Sequence, residues 1–276
     1  MLDQNGVIKD DVVIIRRAED KFWISNLNLY LVYGALGAVA QTGAQIAFNP
    51  VTAMYEMYSV QGPKSLELMN TLVAKPLDDL RFFTMEENEI DGVPVLINRA
   101  GFTGEKLGYE IYIAPDKTSV LVEKLSVDAA ALGGREVKEL QLMCWTLPTE
   151  KGLLLCRDML DLTPFDCEQG RYVNWDHEFT GKAALEANQE PKWELLGFTL
   201  DEDDAFILSK HLGGPGAKVY LGDEEIGRVS KFVYSYVLEK NIGYVLVEKN
   251  RVKQGDHILI RHNDTYDAVV ADRVFC

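Results

Sequence analysis

The C-terminal part of the chain constrains the fold most strongly. After Trp193, short runs of alternating apolar and polar residues follow one another, including LLGFTL, KVYLG, IGYVLVE and HILIR. Turn-forming sequences such as GDEE, KQGD and HNDT separate these runs. Short strands joined by tight turns typically form an antiparallel barrel or sandwich. We therefore predict an antiparallel β-barrel domain over 191–276, following a boundary near residue 190.

The residues before this boundary mix strand and helix patterns, which predicts an α+β domain over 1–190. The predicted strands are 7–15, 22–25, 54–62 and a hairpin formed by DGVPVLINRAGFTG and YEIYIAP. The predicted helices are 29–41, packed closely on a sheet, one starting near Pro63, and one over about 118–132. Residues 137–160 are expected to begin as a helix that Pro148 interrupts.

Composition excludes several classes of protein. The chain has 276 residues, 47% of them hydrophobic, and a net charge of -15. A strongly acidic surface repels phosphate backbones, so we expect no nucleic-acid partner. No apolar run is long enough for a membrane span, and the polar N-terminus is no signal peptide, so we expect a cytoplasmic protein without membrane contact. The cysteines form no CxxC pair and have no His at ligand spacing, which predicts free thiols and no metal site; the alternative is a disulfide between Cys156 and Cys167.

Six phrases, taken in their order, carry a resemblance to a known family. They are MLDQNGVIKDDVVI, EDKFWIS, VQGPKSLELMNTL, RAGFTGEKLGYEIYI, LTPFDCEQGRYVNWDHEFTGKAAL and IGRVSKFVYSYVLEKNIGYVLV. Together they resemble the folate-binding glycine-cleavage T-protein family over nearly the whole chain. The wording of EDKFWIS, VQGPKS and IDGVPVLINR is most similar to the dimethylsulfoniopropionate demethylase and O-demethylase-like branch.

The resemblance implies a cloverleaf of folate-binding lobes followed by a C-terminal β-barrel. In the family, the phrase around Met1 lies some way into the first lobe, so we expect that lobe to be incomplete here. A misplaced start, a fragment, or a second polypeptide that completes the lobe would each explain this. Unpaired edge strands would also favour a homo-oligomer.

The resemblance also implies the activity, which is one-carbon transfer with tetrahydrofolate as cofactor. We expect a methyl group to move from an O-, S- or N-methyl donor, a small molecule, to N5 of tetrahydrofolate. One alternative is the glycine-cleavage aminomethyltransferase, which needs a carrier protein that a chain of charge -15 suits poorly. The other is a catalytically idle folate-binding or partner-dependent subunit.

Two adjacent acids are candidates for the proton transfer. The acceptor nitrogen must lose a proton, which a partly buried carboxylate can take. Neighbouring residues of a strand point to opposite faces, so we expect only one of Asp10 and Asp11 to face the pocket. The resemblance assigns the catalytic role to Asp11. The alternative is that both acids lie at an exposed strand end.

The remaining site residues are implied by the resemblance. Glu110 matches the carboxylate that grips the pterin, whose adjacent N–H groups a carboxylate accepts as a fork. Asn28 and Ser25 match a folate-contacting segment, although either could instead cap the next helix. Tyr172 and Trp175 match an aromatic position against the pterin or substrate, or they pack between domains.

Pro148 is a departure from the family. Many relatives have an arginine there that contacts the folate, and proline offers no donor. The anionic end of folate would then need another cation, for which Arg157 and Lys151 are the candidates. His177 is expected to be a surface residue, and Lys182 is expected to face solvent.

Overall fold

The computed structural model describes residues 1–276. Its strands, in chain order, are β1 Val13–Arg16, β2 Phe22–Ser25, β3 Glu56–Gln61, β4 Met85–Ile90, β5 Val93–Asn98, β6 Gly108–Ile113, β7 Trp193–Leu200, β8 Lys218–Leu221, β9 Glu224–Ser235, β10 Lys240–Glu248, β11 His257–Arg261 and β12 Thr265–Ala271. Its helices are α1 Leu29–Gln41, α2 Ser65–Leu72, α3 Thr118–Ala131, α4 Leu147–Glu150, α5 Cys156–Met159 and α6 Lys182–Ala187. The α+β class is confirmed.

The chain forms two compact units. Unit 1 consists of Met1–Thr42 and Trp145–Cys276, and unit 2 is Gly43–Cys144. The domains predicted from the sequence, 1–190 and 191–276, do not coincide with these two units, and that domain boundary stays a prediction.

The barrel in unit 1 is closed by six antiparallel strands. Their order around the barrel is β10-β7-β12-β11-β8-β9, which confirms the predicted C-terminal barrel. Alternate residues of each strand point inward and fill a core with fully buried side chains such as Phe198, Val245 and Ile260. A Cβ on Gly227 would lie 2.1 Å from the Leu246 carbonyl oxygen, and a Cβ on Gly243 would lie 2.1 Å from the Lys231 carbonyl oxygen. Only glycine therefore fits at these two positions, where β9 and β10 lie close together.

A second core joins the N-terminus to the outside of the barrel. Ile8 packs with Met159, Leu162 and the barrel residues Leu195 and Tyr244. This cluster fixes the first residues of the chain against the segment that contains α5. The position of Asp10 and Asp11, just after Ile8, therefore depends on long-range packing rather than on a local strand.

A buried ion pair also connects this segment to the barrel. Lys231 Nζ lies 2.6 Å from Asp158 Oδ2, with side-chain exposures of 2% and 0%. Asp158 Oδ2 also accepts a hydrogen bond from the Leu155 N–H at 2.9 Å, and Lys231 lies over the Tyr244 ring at 5.2 Å. Because both charges are buried, removing either side chain would leave the other charge without a partner inside the protein.

Unit 2 is a four-stranded antiparallel sheet in the order β3-β6-β5-β4, against which α2 and α3 pack. The Gln61 side chain crosses the end of the sheet and donates to the Ala100 carbonyl at 3.1 Å. A Cβ on Gly101 or Gly108 would lie 2.0 or 2.1 Å from Gln61 Oε1. Those two glycines therefore leave the space that the glutamine amide occupies.

Several predicted elements differ in the structure. The strand expected over 7–15 is limited to β1, with only a bridge between Ile8 and Leu2 before it, because the Asp10 side chain bonds to nearby backbone. Helix α1 forms as predicted, but Val32 is its only buried residue, so close packing on a sheet is wrong. Pro148 does not end the helix, because a π-helical turn over Leu142–Thr146 leads directly into α4, which contains the proline.

All four cysteines are free thiols, as predicted. None of the helices has the length and hydrophobicity that a membrane span needs.

Candidate active site

Unit 1 contains a cavity of about 750 Å³. Residues 1–11, residues 152–179 and Arg273 contribute its walls. Pockets of roughly 300–1,000 Å³ are typical for cofactors and drug-sized ligands. The volume is therefore sufficient for a reduced pterin or a small donor.

Asp11 lies on the wall of this cavity, as an exposed residue. Partial burial raises the pKa of its carboxyl group above the ordinary value of 3.8. The α-ammonium group of Met1 opposes this rise, and the neighbouring charge of Asp10 adds to it. A carboxylate in this state is reachable from the cavity and binds a proton more readily than a fully hydrated aspartate.

Asp10 has a different environment, with only 1% of its surface exposed. Its carboxylate accepts hydrogen bonds from the backbone N–H of Asp11 at 2.8 Å, of Asn28 at 2.8 Å and of Leu27 at 3.4 Å. The thiol of Cys156 donates to the same carboxylate at 3.6 Å. Asp10 thus joins three separate segments and fixes the backbone of Asp11.

Both aspartates contribute atoms to the cavity wall. The Asp10 carboxylate is buried and bonded to backbone N–H groups, whereas Asp11 is exposed, so the expectation that only one of the two acids faces the pocket stays a prediction, although neither residue lies in a strand. The alternative in which both acids lie at an exposed strand end is wrong, because Asp10 is buried.

Tyr172 lines the cavity and is 68% exposed. The Arg171 guanidinium lies over its ring, 4.9 Å from the centroid. The ring and the guanidinium together present a flat, positively charged surface to the cavity.

Trp175 does not line the cavity. Its ring packs against Phe179 with centroids 6.2 Å apart, and its carbonyl accepts from Lys182 Nζ at 2.9 Å. Lys182 also pairs with Glu178 at 2.8 Å, and its side chain is 17% exposed, so the expectation that it faces solvent is wrong.

Ser25 and Asn28 lie outside the cavity wall as well. Ser25 is the exposed last residue of β2. Asn28 immediately precedes α1 and caps it with no side-chain hydrogen bond, and its backbone N–H donates to Asp10. The structure therefore does not bring either side chain to this cavity.

Glu110 belongs to unit 2 and lies on β6. Its Oε2 accepts hydrogen bonds from Asn98 Nδ2 at 2.9 Å and from the Tyr112 hydroxyl at 3.0 Å. Burial and the nearby Glu110 carboxylate raise the pKa of Tyr112, so its hydroxyl keeps its proton and donates. Both bonds go to Oε2, which leaves Oε1 to accept from a ligand.

Asp11 and Glu110 belong to different units. Their predicted convergence on opposite parts of one pterin therefore stays a prediction.

The cations proposed to replace the family arginine are used elsewhere. Pro148 is buried in α4, and Arg157 Nη1 donates to the His211 carbonyl at 3.1 Å. Neither Arg157 nor Lys151 lines the cavity. Two other arginines do, and Arg273 is paired with Glu168 at 2.6 Å. Arg171 is therefore the cavity cation without an ion pair.

Sequence reasoning missed Arg171 and treated His177 only as a surface residue. His177 is exposed, as expected, but it also lines the cavity. The available signal was their position in the phrase EQGRYVNWDHEF, on either side of Tyr172 and Trp175.

Comparisons with known proteins agree with this architecture. Residues 1–177 match the GCVT N-terminal domain, and residues 194–276 match the glycine cleavage T-protein C-terminal barrel domain. An aminomethyltransferase of Caldanaerobacter subterraneus subsp. tengcongensis is 28% identical over 304 residues, covering 100% of this chain and 73% of its own. One of Bacillus cereus (strain G9842) is 29% identical over 263 residues, covering 90% and 67%.

A solved structure shows the same fold. The glycine cleavage system aminomethyltransferase T from Bartonella henselae superposes with a TM-score of 0.80 at 23% identity, covering 100% of this chain and 74% of that one. Because the two family models account for both the mixed α+β part and the barrel, the chain belongs to the glycine cleavage T-protein family.

Proposed function

We propose that this protein is a tetrahydrofolate-dependent one-carbon transferase that moves a methyl group from an O-, S- or N-methyl donor to N5 of tetrahydrofolate. The observation that carries the proposal is Asp11, a carboxylate of raised pKa on the wall of a ligand-sized cavity in a T-protein family chain. The family binds tetrahydrofolate, which accepts the one-carbon group.

Asp11 performs the proton transfer in this proposal. The methyl group leaves the donor heteroatom, which keeps the bonding electrons, and a new carbon bond forms to N5. The N5 proton passes to the Asp11 carboxylate, and general-base assistance of this kind contributes roughly 10²–10⁴-fold. Asp10 holds the Asp11 backbone at 2.8 Å and so fixes the carboxylate relative to the cavity.

The other side chains bind and orient. Tyr172 offers a ring face to a flat pterin, and Arg171 gives a positive charge to an anionic group of folate or donor. Glu110, with a free Oε1 held in position by Asn98 and Tyr112, is suited to accept from the pterin N–H groups.

The second candidate is transfer of an aminomethyl group, the activity for which the relatives from Caldanaerobacter subterraneus and Bacillus cereus are named. Two features favour the methyl donor. EDKFWIS, VQGPKS and IDGVPVLINR resemble the demethylase branch, and a net charge of -15 opposes docking of an acidic carrier protein.

The test incubates the protein with tetrahydrofolate and a panel of methyl donors and measures 5-methyltetrahydrofolate by mass spectrometry. The panel contains a methylated amine, a dimethylsulfonium acid and a methoxybenzoate. A parallel reaction with aminomethyl-lipoyl carrier protein measures ammonia release. Ammonia without methylfolate would establish the second candidate, and folate binding without any product would identify an idle subunit.

The Asp11→Asn variant tests the assigned residue. We expect its rate of methylfolate formation to fall about 100-fold or more, because the amide cannot accept the proton. Its affinity for tetrahydrofolate, measured by calorimetry, should change little. A variant that retains the wild-type rate would remove Asp11 from the mechanism. Asp3→Asn is the control, since Asp3 is a partly exposed N-terminal aspartate that does not line the cavity.

A further inference from the structure

The Asp10 carboxylate, on the wall of the cavity, is held by donors from three parts of the chain. Its Oδ1 accepts from the Asp11 backbone N–H at 2.8 Å and from the Leu27 backbone N–H at 3.4 Å. Its Oδ2 accepts from the Asn28 backbone N–H at 2.8 Å. A further donor is the Cys156 thiol, whose Sγ lies 3.6 Å from Oδ1. A carboxylate has about four acceptor positions, so these donors occupy Asp10 and leave no position for a ligand.

Cys156 differs from the other donors because it is a side chain from a distant segment. It lies 146 residues from Asp10 in the sequence, at the start of α5. Both residues are buried, at 6% and 1% exposure. Residues on either side of Cys156 line the cavity, at 152–154 and at Met159. The thiol therefore joins the wall that contains Asp11 to the wall formed by α5 and the residues before it.

The Cys156 thiol carries the proton that a donor needs. Burial raises the pKa of this thiol to about 11, the nearby Asp11 backbone opposes the rise, and the Asp10 charge adds to it. A thiol with this pKa remains protonated near neutral pH, so its S–H donates to the carboxylate. The retained proton also makes Cys156 a poor nucleophile. Its contribution to the site is therefore the hydrogen bond.

The start of α5 is itself fixed inside the protein. Asp158 Oδ2 accepts from the Leu155 backbone N–H at 2.9 Å, which closes the first turn around Cys156. Lys231 on β9 pairs with the same oxygen at 2.6 Å. A buried series of contacts therefore runs from the barrel, through α5 and its thiol, to the Asp10 carboxylate.

The other buried cysteine, Cys167, has no such connection. It is 0% exposed, and burial raises the pKa of its thiol to about 11 as well. Its Sγ lies 3.5 Å from the Thr163 carbonyl oxygen and 3.7 Å from the Pro164 carbonyl oxygen, so its acceptors belong to its own turn. Cys167 therefore matches Cys156 in burial and protonation but contacts neither cavity aspartate, which makes it a suitable control.

We propose that Cys156 is a positioning residue for the one-carbon transfer. Its thiol holds the Asp10 carboxylate against α5, and that carboxylate holds the Asp11 backbone N–H. The Asp11 carboxylate thereby keeps a fixed place on the cavity wall. This role rests on the function proposed for Asp11, because a proton acceptor displaced by about 1 Å can lose about 100-fold in rate.

Steady-state kinetics of methylfolate formation test the proposal with Cys156→Ala, Cys156→Ser and Cys167→Ala. We expect Cys156→Ala to lower kcat at least about tenfold and to leave KM for tetrahydrofolate unchanged, because the binding groups remain in place. Cys156→Ser should restore most of the rate, since its hydroxyl can also donate to Asp10. Cys167→Ala also removes a buried sulfur but should leave kcat unchanged. A wild-type kcat in Cys156→Ala, or an equal loss in Cys167→Ala, would overturn the proposal.

A second measurement needs no activity. Hydrogen exchange followed by NMR reports on the Asp11 and Asn28 amides, which both bond to Asp10. These amides should exchange at least about threefold faster in Cys156→Ala than in the wild type or Cys167→Ala, with the circular dichroism of all three proteins equal. Unchanged exchange would refute the positioning role even in an active enzyme. A wild type that forms no methylfolate would defeat the proposed function, whereas faster exchange in Cys156→Ala would still establish that the thiol positions Asp11.

Discussion

At the scale of single residues, the adjacent aspartates Asp10 and Asp11 have different roles because their surroundings differ. Asp10 is buried and accepts from several donors, whereas Asp11 is open to the cavity. Because each Asp10 bond ends on backbone or on Cys156, its contribution is to the geometry of the site. The identical side chains therefore take their roles from their surroundings.

Asp10→Ala should destabilise the protein by about 1–3 kcal/mol, since it removes a buried carboxylate that accepts from the part-buried N–H groups of Asp11 and Asn28. Urea unfolding at pH 7 measures the change in the free energy of unfolding. Asp11→Ala is the control and should cost much less, because Asp11 is exposed. Equal losses for the two variants would contradict this assignment.

The pH dependence of stability should differ between wild type and Asp11→Asn. The folded pKa of Asp11 is raised above its ordinary value of 3.8, so folding favours the protonated form. Its stabilising contribution is complete below the unfolded pKa and is lost as pH rises through the folded pKa. Asp11→Asn should therefore gain in unfolding free energy, relative to wild type, as the pH rises from below about 4 through the raised pKa of the folded state. A difference that stays constant over this range would contradict the shift.

At the scale of elements, the buried pair of Lys231 and Asp158 joins α5 to strand β9 of the barrel. The second oxygen, Asp158 Oδ1, is buried without a hydrogen-bond partner, so the carboxylate depends heavily on the lysine. This contact and the core around Ile8 together fix the wall of the cavity that α5 supports.

Lys231→Met should destabilise the protein by about 3–5 kcal/mol, because it leaves a buried carboxylate without a counter-charge. Adding Asp158→Leu should recover much of the loss, as the apolar pair needs no desolvation of charge. Chemical unfolding checks both. Lys218→Met breaks an exposed pair with Glu225 and should change stability by less than about 1 kcal/mol. A double variant as unstable as the single one would show that the pair has a further structural role.

The residue before α6, Gly181, should tolerate a side chain less well than a glycine in an open turn. Gly181 has φ +89°, and a Cβ there would lie 2.5 Å from the Asp3 carbonyl. Gly213 has a similar φ of +93° but open space around it. Gly213→Ala should cost about 1–2 kcal/mol from backbone conformation alone. Gly181→Ala should cost at least about 1 kcal/mol more, since the N-terminal segment must shift. Thermal unfolding of the two variants measures the difference.

At the scale of the whole molecule, the barrel and the cavity depend on contacts of different range in the sequence. The barrel strands pair in sequence-local hairpins such as β9–β10 and β11–β12, and the alternation of inward residues is visible in the sequence. The cavity instead requires residues 1–11 to meet residues 152–179 and Arg273.

Tetrahydrofolate should stabilise the folded molecule as any ligand of the native state does. At a concentration of 100 times its dissociation constant, the expected gain is about 2.7 kcal/mol in unfolding free energy. Differential scanning fluorimetry with increasing ligand measures it. Folic acid, which lacks the N5 hydrogen, provides the comparison for the reduced ring. No shift with either compound, in a protein shown to be folded, would count against folate binding.

The sequence by itself determined the features that depend on local pattern: the barrel, most strands and helices, the free thiols, and the family. Side-chain periodicity and turn residues encode these directly. Only the tertiary structure decided that Asp10 is buried against Cys156, that Arg171 rather than Arg157 lines the cavity, and that α1 is left uncovered. Those outcomes depend on contacts between residues far apart in the chain, and no local spacing in the sequence specifies such contacts.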